Sequence, residues 1–254
     1  MIKRPSLPLV LFVLFICFAA GLVSVFLKQG SESDPLASPE PPSNLETTLP
    51  IGDATTSPQT TILVIGVDQL QTETPKLEAI WFVTFRLPGR DLFLLGIPIN
   101  ARVRVQPELR LKDLFRWSVD QGPDAIFMQA LYDEVPLSID VILVVDEIAF
   151  AALIDYMGGV TLESGTLDGN QVIGVLDLVK DQPTAALEVQ ERVVQALSEK
   201  APNLGSTPDL TPLIALIPIN AYSSIPPLNL VALINPLLPI QPNTVHIELM
   251  PLDG

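Results

Sequence analysis

Six side chains stand where this polypeptide would place chemistry: Asp68, Lys76, Glu78, Asn100, Arg102 and Arg104. Each lies at the end of an apolar run, or in the loop beside one, within the stretch Thr61 to Arg104. Strand ends are where α/β proteins build their sites. By type the six are two carboxylates, three cations and an amide. Cations can hold an anionic group, and carboxylates can hold a metal ion or take a proton. Asp68 carries two readings, a ligand-binding group or the cap of a turn or helix.

The elements that must position these groups are written in the apolar pattern. Ile62–Val67 ends on Asp68, and two longer runs follow, Ala79–Leu87 and Asp91–Ile97. They are joined by Leu87-Pro88-Gly89-Arg90, which reads as a type II turn with Pro at the second position and Gly at the third. The middle run is apolar on both faces, with Ile80 and Phe82 beside Thr84 on one and Trp81, Val83 and Phe85 on the other. A strand of that kind is central, with layers packed above and below it.

Downstream, Arg110–Leu131 reads as helical with an interruption at Gly122-Pro123. Ile139–Val145 reads as another doubly buried strand, and Glu147–Met157 as a helix closed by Gly158-Gly159. A short strand over Val160–Leu162 precedes helices over Gly169–Val179 and Ala185–Lys200. Short apolar helices over Leu210–Ile217 and Leu228–Leu238 lead to a last strand, Thr244–Met250. The alternation predicts a three-layer α/β/α sandwich around a central mixed sheet, over residues 61–254.

Two segments precede that domain. Residues 1–28 hold Lys3 and Arg4 and then Leu7 to Leu27, which carries no charge and is long enough to cross a bilayer. The leading positive charges predict a single-pass anchor with a cytoplasmic N-terminus and an exported remainder. A cleaved signal peptide, with Ala19-Ala20-Gly21 as its small-residue site, is the competing reading. Residues 29–60 are rich in Pro, Ser and Thr, with acids and no Lys or Arg, and predict an extended linker. The only cysteine, Cys17, lies in the apolar segment, so an intrachain disulfide is excluded.

The stretch around the six residues resembles the LytR-CpsA-Psr family, whose members move glycopolymers from a polyprenyl-pyrophosphate carrier onto the bacterial cell wall. That family has a strand ending Gly-Val-Asp, then Arg-Ser-Asp-Thr, then a strand ending Ile-Pro-Arg-Asp-Thr-Arg-Val. Here these are Gly66-Val67-Asp68, Lys76-Leu77-Glu78-Ala79 and Ile97-Pro98-Ile99-Asn100-Ala101-Arg102-Val103. The likeness continues through Ile139–Val145, Gly158-Gly159-Val160 and Leu167-Asp168-Gly169. It then meets Leu178-Val179-Lys180 and Ala186 to Glu191, where the family's arginines are absent.

What the resemblance implies is specific. The domain would sit outside the cell membrane, with a polyprenyl-(pyro)phosphate lipid or a cell-wall glycopolymer as its partner. Asp68 and Arg102 would be catalytic, Asp68 would hold Mg2+, and Lys76, Glu78, Asn100 and Arg104 would contact substrate. Ile99 and Asn100 stand where the family has Arg and Asp, and Ala186 and Val189 where it has two more arginines. Losing one electrostatic stabiliser costs on the order of 10²–10³ in rate, so phosphotransfer is expected to be reduced or lost. The alternative is a non-catalytic lipid-binding or scaffold domain. An apolar tunnel for the lipid could be walled by Ile148, Leu153, Val172, Leu176, Val193 and Leu197, which would equally serve as plain core.

Charge sharpens the picture. The chain has a net charge of −15, which argues against nucleic acid. Between Lys76 and Arg116, however, eight basic residues face four acids, whereas from Trp117 onward three face eighteen. A basic patch on an acidic domain can attract a phosphate head or an anionic polymer; a solvated face paired with nearby acids is the plainer reading. His246 has no second histidine or cysteine near it and reads as structural. Gly158-Gly159 follows a helix and so is a cap rather than a phosphate loop, and Ser223-Ser224 lacks the setting of a nucleophile elbow.

Overall fold

A computed structural model describes residues 59–251 apart from 105 and 164, and the structural statements below concern those residues. The anchor expected at residues 7–27 and most of the linker lie outside them. Among the described residues no helix is long and apolar enough to cross a membrane.

The first three strands fall where the apolar runs placed them: β1 is Gln59–Val67, β2 Leu77–Arg86 and β3 Leu92–Ile97. They pair antiparallel in sequence order. The β2–β3 connection is not the type II turn expected. The Leu87–Pro88 peptide is cis, and Gly89 stays out of the left-handed region that such a turn requires.

A two-residue strand β4 (Arg102–Val103) pairs with β5 (Gln106–Arg110) as a separate ribbon. The long helix expected over Arg110–Leu131 is in fact two. The first, α1, is Leu111–Leu114, and the chain turns extended at Phe115. Short strands β6 (Trp117–Ser118) and β7 (Gly122–Pro123) then pair across a turn in which Gly122 takes φ 76°. The second helix, α2, is Ala125–Glu134, started by Asp124, whose carboxylate accepts the Ile126 N–H. The apolar spacing that mimicked a helix belongs instead to Phe115, which is buried edge-on against Phe127, and to Trp117, packed edge-on against Tyr222.

The chain re-enters the sheet as β8 (Val141–Asp146), parallel to β1. Asp146 then caps α3 (Glu147–Tyr156), its Oδ1 accepting the Ala149 N–H at 2.9 Å. Gly158 and Gly159, with φ of 80° and 81°, end that helix as expected. The ribbon β9 (Val160–Leu162) and β10 (Gly165–Leu167) leads to α4 (Gly169–Val179) and α5 (Pro183–Lys200). After them come α6 (Thr211–Ile214), β11 (Ala221–Ser223), α7 (Pro227–Ile234) and β12 (Val245–Leu249).

The result is a six-stranded mixed sheet in the order β11-β8-β1-β2-β3-β12, with β1 and β2 at its centre. Alternation along the strands divides the core. Leu63, Ile65, Ile80, Phe82 and Ile97 face α1 and α2, packing with Leu111, Phe127 and Leu131. Ile62, Phe85, Leu92 and Val141 face the other way, with Leu230 and Leu237 of the C-terminal region. A third cluster, around Ile154, Val172 and Val193, joins α3, α4 and α5 to one another.

Candidate functional site

The register of the sheet decides where the polar residues go. Val67 of β1 pairs with Leu77 of β2 and with Asp146 of β8, and Ile80 of β2 pairs with Ile97 of β3. Asp68, Lys76, Glu78, Asp146 and Glu147 are therefore brought to one edge of the sheet.

That edge opens onto a cavity of about 1380 Å³. Its floor is the second face of the sheet, with Val64, Trp81, Val83, Leu94 and Leu143. Its walls come from α3 to α7, among them Phe150, Leu153, Leu176, Val194, Leu197, Leu213 and Val231. Val64, Val83, Leu94 and Leu143 stay only half-buried although they lie on inner strands of the sheet, because a hollow rather than a packed helix lies over them. The six residues considered as tunnel walls divide three ways. Leu153, Leu176 and Leu197 line the cavity. Val172 and Val193 are fully buried core, and Ile148 is 60% exposed.

At the mouth, Asp68 closes the loop from Gln69 to Pro75. Its Oδ1 accepts the N–H of Gln69 at 2.7 Å and of Lys76 at 2.8 Å. One oxygen thus caps a turn; Oδ2 has no hydrogen bond among the described residues. Glu78 lies beside it, half-buried, with no side-chain hydrogen bond among the described residues. Burial raises its pKa to about 7, and the carboxylates of Glu147, Asp68 and Asp177 push the same way, against Lys180. Glu147 is raised by burial and by Asp177 and Asp68. Lys180 pairs with Asp177 at 2.9 Å.

The six polar residues thus part company. Asp68, Lys76 and Glu78 line the cavity. Arg102 and Arg104 are exposed on and beside the β4–β5 ribbon and are absent from the lining, and Arg104 pairs with Glu134 at 3.8 Å. Asn100 is also outside the lining, although its neighbours Pro98 and Ile99 are within it. Its Oδ1 is buried without a hydrogen bond, and its carbonyl accepts Arg110 Nη1 at 3.5 Å. The sequence pattern missed Glu147, Asp177, Lys180 and Gln190. Gln190 Nε2 donates to the Glu78 carbonyl at 3.0 Å, and its Oε1 accepts Trp81 Nε1 at 3.2 Å.

The donor set bears on a metal. Among the described residues, no three acidic, histidine or cysteine side chains stand close enough to enclose an ion. Mg2+ asks for less, binding through one or two carboxylates with substrate phosphate and water completing the shell. Asp68 Oδ2 and the crowded Glu78 carboxylate suit that smaller demand.

Comparison with solved structures follows the same lines. An Actinomyces oris protein described as a LytR-Csp2A-Psr enzyme matches with a TM-score of 0.59 at 17% identity, over 83% of this chain and 87% of that one. The chain has the LytR-CpsA-Psr fold. B. subtilis TagV matches at TM-score 0.59 and 15% identity, over 78% of this chain and 85% of that one. A structure of TagT bound to LIIa-WTA matches at 0.56 and 16%, over 76% of this chain and 78% of that one. No protein-family model and no curated protein matches the chain. The LytR-CpsA-Psr fold is thus carried here by a sequence that keeps its apolar framework and little else.

Proposed function

We infer that the chain is a LytR-CpsA-Psr-like protein of bacterial cell-envelope biogenesis, anchored in the cell membrane by residues 7–27 with its N-terminus in the cytoplasm. Its ligand is a glycopolymer on a polyprenyl-pyrophosphate carrier, with the isoprenoid chain in the cavity and the diphosphate at the mouth. The observation that carries this reading is the apolar hollow of about 1380 Å³ ending in ionisable groups at one sheet edge. An apolar tail and an anionic head need that division of surface. The TagT structure, with the same fold, holds LIIa-WTA.

Transfer to a wall acceptor would form a new phosphate ester and break the phosphoanhydride bond, releasing polyprenyl phosphate. Glu78, held near neutrality by burial and like charges, is suited to take the acceptor hydroxyl proton. Asp68 and Glu78 would hold Mg2+, which when bound offsets diphosphate charge. Activity is reduced or absent on this reading. The late-helix positions facing the cavity are Ala186 and Gln190 rather than arginines, and carboxylates outnumber cations in the lining. A non-catalytic lipid-binding or scaffold role is the second reading, favoured by that excess.

The test is to reconstitute the full chain in detergent and measure binding of a polyprenyl-pyrophosphate-linked glycan and release of polyprenyl phosphate with Mg2+. Binding with release supports a transferase, and binding alone supports the second role. Failure to bind the lipid at all would overturn both.

A further inference from the structure

The mouth of the cavity has two lips of opposite charge. One comes from the α3–α4 layer and contributes Glu147, Asp177 and Asp181, relieved only by Lys180, which is already paired with Asp177. The other comes from α1 and its exit, on the opposite face of the sheet, and contributes Lys112, Arg116 and Trp117. The hydrogen bonds explain how that second lip reaches the mouth. The N–H groups of Leu111 and Lys112 donate to the carbonyls of Ala101 and Ile99, at 3.1 and 2.9 Å. This ties α1 to the chain leaving β3, at the edge that holds Asp68 and Glu78.

The two cations on this lip are not neutralised within the protein. Neither has an ion pair within 4 Å among the described residues, unlike Arg104 and Lys180. Arg116 is nonetheless held in place, its Nη1 donating to the carbonyls of Phe115 at 2.7 Å and Asp113 at 3.1 Å. Those bonds orient the guanidinium while leaving its charge intact. Asp113, the acid on this lip, is engaged elsewhere, its Oδ2 accepting the Arg110 N–H at 3.0 Å. Beside Arg116, the Trp117 Nε1–H is shielded from solvent and has no hydrogen-bond partner among the described residues. Its ring packs against Tyr222, with centroids 5.0 Å apart. A buried donor without an acceptor is costly unless something supplies one.

We propose that Lys112, Arg116 and the Trp117 Nε1–H form a diphosphate-holding lip, the cationic half of a mouth whose other half is acidic. The proposal rests on the lipid-diphosphate reading above and names the residues that would grip the head group. An oriented guanidinium forks onto phosphate oxygens, a lysine adds a point charge, and an indole N–H adds a neutral donor. The separation also keeps the carboxylate lip clear of the anion it would repel.

The test uses the full chain in detergent with three probes: a long-chain polyprenyl diphosphate, the matching polyprenol, and inorganic pyrophosphate as competitor. The double variant Lys112→Ala/Arg116→Ala is expected to bind the diphosphate lipid at least tenfold more weakly while keeping its polyprenol affinity, which also reports an intact fold. Trp117→Phe, which keeps a ring and loses the donor, is expected to cost about three- to tenfold, consistent with one lost hydrogen bond. The salt dependence of diphosphate binding should flatten in the double variant. Competition by inorganic pyrophosphate that the double variant loses would place the recognition on the head group alone. Unchanged diphosphate affinity in the double variant overturns the lip while leaving the lipid reading intact. Absence of binding to both lipids by the unaltered chain overturns the reading itself.

Discussion

Trp81 and Gln190 are joined across the sheet–helix boundary, the buried indole Nε1 donating to the amide oxygen at 3.2 Å. The same amide donates from Nε2 to the Glu78 carbonyl at 3.0 Å. One side chain on α5 therefore satisfies a buried donor on β2 and holds the strand end that carries Glu78. Gln190→Leu keeps the shape and removes both bonds. It should destabilise the protein by about 1–3 kcal/mol, the usual cost of leaving a buried polar group unmet. Chemical denaturation of the full chain, followed by tryptophan fluorescence, checks this. An unchanged midpoint would mean that the bridge contributes nothing.

Glu78 gives the fold a pH dependence with a definite sign. Its folded pKa is raised from 4.5 to about 7, so the native state holds a proton that the unfolded chain has released between those values. Stability is therefore greatest on this account at or below about pH 4.5, and falls as pH rises through 7. With solvent screening of a half-exposed group, the loss should be on the order of 1–2 kcal/mol. Glu78→Gln removes the titration. Its denaturation midpoint should match the unaltered protein near pH 5 and exceed it at pH 8. Parallel pH profiles for the two proteins would contradict the account.

Much of this was legible in the residues, and the gaps have physical causes. The ends of the apolar runs located Asp68, Lys76 and Glu78, because a strand that stops being apolar has reached the sheet edge. Glu147, Asp177 and Lys180 were not found. They approach the edge only once β8 lies parallel to β1 and α4 folds beside α3, and the order of strands is not written in any one of them. A usable clue existed for Glu147: it follows a strand of the same apolar type as β1, and parallel neighbours end at the same edge. The helix expected over Arg110–Leu131 failed because Phe115 and Trp117 fit a helical spacing while packing from extended backbone. The family-like stretch 97–103 kept its pattern, yet the ribbon at Arg102 leaves that side chain exposed and outside the cavity lining.

The cavity and the core make opposite predictions for residues of one type. Leu176 on α4 is half-buried and lines the hollow, whereas Ile154 on α3 is fully buried in the cluster that joins α3, α4 and α5. Leu176→Trp should fill space, leave the denaturation midpoint nearly unchanged and weaken polyprenyl-lipid binding at least tenfold. Ile154→Ala should cost about 2–5 kcal/mol through lost burial and a new void. Its lipid affinity, measured where it remains folded, should change little. If the two substitutions behaved alike, the hollow would be ordinary core rather than a binding space.

Arg102 offers the sharpest separation between pattern and geometry. The family-like stretch makes it a phosphate-binding residue; the structure puts it on the exposed β4–β5 ribbon with no hydrogen bond or ion pair among the described residues. Arg116, three turns of argument away in sequence terms, lines the cavity instead. Arg102→Ala is accordingly expected to leave polyprenyl-diphosphate affinity within about twofold, the size of an exposed charge acting through screened solvent. Arg116→Ala should lower it by about tenfold, since a guanidinium on phosphate contributes roughly 1.5–3 kcal/mol. Titrating both variants at two salt concentrations gives the comparison. A larger loss for Arg102→Ala than for Arg116→Ala would mean that the ribbon closes over the mouth when ligand binds.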